Sequence, residues 1–160
     1  MGADLVAAGS LRAFSPKDGR GRPSPHEHCW FRGNVTIFSV YSPQVLDHFE
    51  HPRNTGVIEN ADASAQVENP VCGDVLKLTA RIAEGRISEI RFLSQGCVPA
   101  IACASVLTEL VNGKTLREAQ AITKEQLTNE LGRLPEASSH AAQLAIDALL
   151  RMLQGRPSGQ

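Results

Sequence analysis

The strongest constraint on the fold lies between residues 75 and 92. Leu76, Leu78, Ala80 and Ile82 share one side of an extended chain, while Val75, Lys77, Thr79 and Arg81 share the other. Such period-two alternation marks a strand with one buried face. Glu84-Gly85-Arg86 reads as a turn, and Ile90 and Phe92 alternate with Glu89 and Arg91 on the returning arm. A hairpin with one apolar face is not stable alone and needs a covering layer. The residues after it supply that layer. Beyond Cys97, Pro99 suits a first helical turn, and Ile101, Ala104, Leu107 and Val111 keep helical spacing until Asn112-Gly113. Thr115 with Glu118 and Thr123 with Gln126 each match a capping box, predicting two short helices. After the break at Gly132–Pro135, Ser138 or Ser139 can cap a last helix whose stripe is Ala141, Leu144, Ala145, Ala148, Leu149 and Met152. Upstream, Ser42-Pro43 opens a short helix presenting Val45, Leu46 and Phe49, and His51–Gly56 stops it. A short strand is expected around Ala65–Glu68. Strands first and helices later give an α+β fold: a small antiparallel sheet with helices packed around it.

Composition narrows the function classes. Sixteen Lys and Arg against 17 Asp and Glu leave a formal charge of −1, which argues against a general electrostatic grip on nucleic acid or anionic membrane. No apolar run approaches the ~20 residues needed to span a bilayer. Asp4 precedes the short apolar patch at the start and no basic stretch does, the reverse of a secretory signal. The expected compartment is the cytoplasm. In that reducing setting Cys29, Cys72, Cys97 and Cys103 are thiols or metal ligands before they are disulfides.

The chain divides near residue 40. Residues 15–34 are punctuated by Pro16, Gly19, Gly21, Pro23, Pro25 and Gly33, so no periodic pattern survives, and residues 1–39 read as a disordered extension or a start assigned too far upstream. His26, Glu27, His28 and Cys29 fall in this segment, too few and too crowded for a complete metal site. The domain is expected to run from 40 to 154, with 155–160 a flexible tail.

Three places carry chemistry. Cys72-Gly73-Asp74 stands at the entry to the first long strand, where glycine permits a tight backbone between two ligand-type side chains. Cys97 follows Gly96 where the sheet ends and a helix begins, and the positive end of a helix favours thiolate. His140 opens the last helix. A cysteine beside a strand is often a core residue, and no CxxC pair is present, so spacing alone leaves the core and ligand alternatives open. Cys103 lies within the helix that carries Leu107 and reads as a small buried hydrophobe.

Four segments together resemble the NifU/IscU-type iron–sulfur cluster scaffold proteins: Tyr41–Gly56 (YSPQVLDHFEHPRNTG), Asn69–Leu78 (NPVCGDVLKL), Gln95–Ser105 (QGCVPAIACAS) and Val111–Ala121 (VNGKTLREAQA). The resemblance runs from about Tyr41 to Leu153. It implies a non-enzymatic scaffold or carrier that takes sulfur from a cysteine desulfurase and iron from a donor. A 2Fe–2S cluster is built there and passed to apo iron–sulfur acceptor proteins. It also implies that Cys72, Asp74, Cys97 and His140 line the site. Two departures stand out. Ala141 occupies the place of the family's third cysteine, and Leu134-Pro135 is all that remains of the stretch read by an Hsp70-type chaperone, so that partner is not expected. Two thiols, a carboxylate and an imidazole can ligate iron and equally suit tetrahedral zinc. A zinc-holding sulfur acceptor and a metal-free interaction module are therefore the alternatives to the scaffold. Because residues 1–39 lack periodic apolar positions, deleting them should leave the melting temperature nearly unchanged, as measured by thermal circular dichroism.

Overall fold

The structure is a computed structural model that describes residues 40–132 and 134–155. The expectations for residues 1–39, including the His26–Cys29 tract, and for the tail beyond Gly155 lie outside these residues.

The first helix, α1 (Pro43–Glu50), begins as its sequence dictates: the Ser42 hydroxyl accepts the Val45 amide and Pro43 occupies the first turn. Val45 and Leu46 are buried, whereas Phe49 is partly exposed and does not join their face. Three strands follow, β1 (Ala63–Glu68), β2 (Val75–Ala83) and β3 (Arg86–Gln95), forming an antiparallel sheet in the order β1-β2-β3. The β2–β3 turn needs only Glu84 and Gly85, at φ 54° and 74°, the left-handed pair that matches strand twist in a two-residue hairpin.

Leu76, Leu78 and Ala80 on β2 and Ile90 and Phe92 on β3 are buried on the shared face. Ile82 does not follow them fully. The register shifts after Arg81, which pairs with Glu89 while Ile82 pairs with Ile87, and the extra residue Ser88 donates its hydroxyl to the Arg81 carbonyl. This bulge turns Ile87 into the core alongside Ile90 although the two are an odd number of residues apart.

Two helices lie against the apolar face, α2 (Val98–Val111) and α5 (Ser139–Gln154), and the short α3 (Leu116–Gln120) and α4 (Lys124–Glu130) between them in sequence pack on those two helices. Both capping boxes form as the sequence predicts, at Thr115/Glu118 and Thr123/Gln126. A 3₁₀ turn (Glu136–Ser138) precedes α5, and Ser138 caps it without a side-chain hydrogen bond. All six residues of the α5 stripe are buried, and three of them are alanines, which lets the backbones of α5, α2 and the sheet approach closely.

Between α1 and β1 the chain crosses the other face of the sheet. Gly56 and Asn54 bond to Phe92 at the free edge of β3, Ile58 donates to the buried Thr79 hydroxyl, and Asp62 reaches Ala80. A polar latch fixes this crossing to α2. The fully buried Ser105 hydroxyl accepts the Arg53 amide at 2.9 Å and lies 2.9 Å from His48 Nδ1, and Asn54 donates to Thr108 Oγ1 at 3.1 Å. Arg53 also pairs with Asp47 at 2.6 Å. Burial pushes the His48 imidazole below its ordinary pKa, and the nearby Arg53 charge adds to this. Ser105→Ala strands two partners of that hydroxyl, so it should cost about 1–3 kcal/mol in urea unfolding with no change in the slope of the transition.

Candidate metal centre

The site is assembled where two strand ends meet a helix start. Asn69–Asp74 closes β1 onto β2: the Asn69 amide donates to the Asp74 carbonyl at 2.8 Å, and the Gly73 amide to the Asn69 carbonyl at 2.8 Å. Asn69 Oδ1 also accepts the Val71 amide at 2.9 Å. Gly73 sits at φ +72°, which places Cys72 and Asp74 on the two sides of a left-handed residue. Cys72 is exposed beside Val71, itself 80% exposed, while Asp74 turns inward and keeps only 6% of its surface.

Across the hairpin, Val75 pairs with Gln95, so Gly96 lies opposite Asp74 and Cys97 follows as the N-cap of α2. The Asp74 carboxylate spans that gap. Its Oδ1 accepts the Cys97 amide at 3.2 Å, and Cys97 Sγ donates to its Oδ2 at 3.1 Å. The carboxylate thus anchors the N-cap residue of the helix through both its amide and its thiol.

The electrostatics of Cys97 differ from the expectation for a helix start. Burial raises the thiol above its ordinary pKa, and the hydrogen bond and charge of Asp74 raise it further, together with the charge of Cys72. The Ala100 amide pulls it down without prevailing. Cys97 is therefore kept toward the thiol first by burial, with Asp74 and Cys72 adding to it against the pull of the helix start. Cys103 has no exposure, and burial pushes it up to about 12, as a core thiol requires.

Of the four residues singled out in the sequence, Asp74 and Cys97 are in contact, and Cys72 adjoins them on the same loop. His140 is exposed at the start of α5 and lines a cleft of about 270 Å³ with Val67, Pro70, Val71 and Leu144, which none of Cys72, Asp74 and Cys97 lines. Among the described residues no three His, Cys, Asp or Glu side chains stand together as a finished cage for a metal ion. Ala141 is 4% exposed and packs into the core. Sequence reasoning missed the part played by Gly96. Its only signal was a glycine two residues beyond the inward-facing Ser94, opposite an aspartate.

The family described as NifU-like N terminal domain matches residues 40–155. This chain belongs to that family. It is 45% identical over 114 residues to the iron–sulfur cluster assembly scaffold protein IscU 1 of Archaeoglobus fulgidus, spanning 71% of this chain and 74% of that one. It is 46% identical over 114 residues to IscU of Escherichia coli, spanning 69% and 88%. Among solved structures, the NifU-like N-terminal protein of Brucella abortus superposes with a TM-score of 0.59 at 21% identity, over 74% of this chain and 94% of that one. The SUF-system protein FiSufU of Fervidobacterium islandicum AW-1 gives 0.60 at 24%, over 72% and 97%. These two share the α+β fold. No helix among the described residues is long and apolar enough to cross a membrane.

Thiol chemistry can be read without any metal. N-ethylmaleimide followed by peptide mass mapping should modify Cys72 and Cys97 in the folded NifU-like chain and spare Cys103 until denaturant is added. Asp74→Ala, by removing the hydrogen bond and the charge that raise Cys97, should speed its modification at neutral pH and leave Cys72 unchanged.

Proposed function

We propose that this chain is a scaffold or carrier for iron–sulfur cluster assembly, holding iron and sulfide as cargo and not turning over a substrate as an enzyme does. One observation carries the proposal: in a NifU-like chain with IscU relatives, the Asp74 carboxylate and the Cys97 thiol are in direct contact at an open sheet end, with the exposed Cys72 on the adjoining loop. Soft sulfur donors suit iron–sulfur clusters, and an oxygen donor beside them allows a ligand to be exchanged when cargo leaves. Cys72, Cys97, Asp74 and His140 are the proposed ligands of a 2Fe–2S cluster. His140 is included because it lines one cleft with Asn69, Pro70 and Val71 of the loop that leads into Cys72.

The partners follow from the cargo. Sulfur would come as the persulfide of a cysteine desulfurase, whose outer sulfur an external two-electron donor reduces to sulfide with release of the desulfurase thiol, and the finished cluster would go to apo iron–sulfur proteins. With two exposed thiols among the described residues, the centre holds a cluster less firmly than three thiolates would, which fits a carrier. The same donor set also fits zinc, and zinc uptake is the competing outcome.

Anaerobic reconstitution with ferrous iron and sulfide tests the proposal, followed by iron and sulfide content, visible absorption and circular dichroism. The wild-type chain should acquire a coloured, labile centre. Cys72→Ser and Cys97→Ser should each lose it, and Cys103→Ala should keep it. A chain that takes up zinc and never iron and sulfide rejects the scaffold in favour of the zinc-holding acceptor.

A further inference from the structure

Gly96 shows no left-handed backbone to account for its being glycine, so the reason lies in its surroundings. A Cβ built on it would stand 2.6 Å from Asp74 Oδ1, 2.7 Å from its Cγ and 3.0 Å from its Cβ. These three nearest atoms all belong to one side chain, the one that bridges to Cys97. Contacts that short cannot persist, and Asp74 is too short to bend aside at its tip. It would have to leave its rotamer, and both bonds to Cys97 would go with it.

We propose that Gly96 is the positioning residue of the centre: its missing side chain is the space in which Asp74 is held against Cys97. The proposal deepens the scaffold reading and rests on it for its meaning, since it makes the sulfur–oxygen donor pair depend on a residue that can ligate nothing. Asp74 is nearly enclosed, and Gly96 forms the wall opposite it across the hairpin. Residues that orient a ligand typically change metal affinity by about 10–100-fold when altered. Gly96→Ala should fall in that range although it adds one methyl group and removes no donor.

The experiment uses the full chain and three variants: Gly96→Ala, Asp74→Ala and the double variant. Without metal, amide hydrogen exchange should show the Cys97 amide losing protection in both single variants and no further in the double. With cobalt(II) as the probe, thiolate charge-transfer absorption should report weaker binding in Gly96→Ala, and in the Asp74→Ala background the added methyl should cost nothing more. A merely structural glycine would give losses that add. Should Gly96→Ala alone fail to fold, Asp74→Ala in the same chain clears the space and should restore folding by circular dichroism. The proposal is overturned by a protected Cys97 amide in Gly96→Ala, by additive losses, or by a double variant that stays unfolded. A wild-type chain that ignores cobalt but shows the expected exchange pattern defeats the scaffold reading and leaves the role of Gly96 standing.

Discussion

Helix α2 is enclosed on nearly every side, and the remaining architecture is arranged around that fact. Ten of its 14 residues are buried, including Ser105 and Thr108, so it behaves as a core helix with no solvent face to orient it. Its direction is set instead by what touches it. β3 and α5 pack along it, α1 lies against it, and the chain leaving β3 enters it without a loop. An all-round apolar helix has little intrinsic rotational preference. Two buried hydroxyls supply one, because Ser105 meets His48 and Arg53 and Thr108 meets Asn54, all from the segment that runs from α1 into the crossing.

Those partners come from the segment that is most recognisable in the sequence. Asp47, His48, Arg53 and Asn54 belong to the motif that most specifically marks the family resemblance, yet they reach no thiol. They tie α1 and the crossing strand to α2 through Ser105, Thr108 and Glu109. The motif's work is to hold the helix whose N-cap is Cys97. A conspicuous polar motif can thus be scaffolding for a site that it does not enter.

At the site itself, opposing influences act on one sulfur. Burial raises the Cys97 thiol, the Ala100 amide at the helix start pulls it back, and the Asp74 carboxylate 3.1 Å away adds to the rise, so the net shift is upward. Cys97 therefore waits as a hydrogen-bond donor to Asp74. Cys72, on the exposed side of Gly73, has no such restraint among its contacts. Two cysteines in one centre are held in different ways because one left-handed residue separates Cys72 from Asp74.

The sequence by itself determined the strands of the hairpin, the breaks at Gly56, Gly113 and Gly132, both capping boxes and the apolar stripe of α5. Each of these is settled by local rules of spacing, φ and capping that operate within a few residues. It also pointed to Cys72, Asp74, Cys97 and His140 as residue types with ligand chemistry, and to Cys103 as core. What it could not contain was distance. The Ser88 bulge that brings Ile87 and Ile90 to one face, the partial exposure of Phe49, the latch on Ser105 and the pairing of Asp74 with Cys97 all depend on segments tens of residues apart. The need for glycine at position 96 is of the same kind. It arises because β2 and β3 pair in a register that sets Asp74 opposite it, and only the folded sheet makes that register a distance.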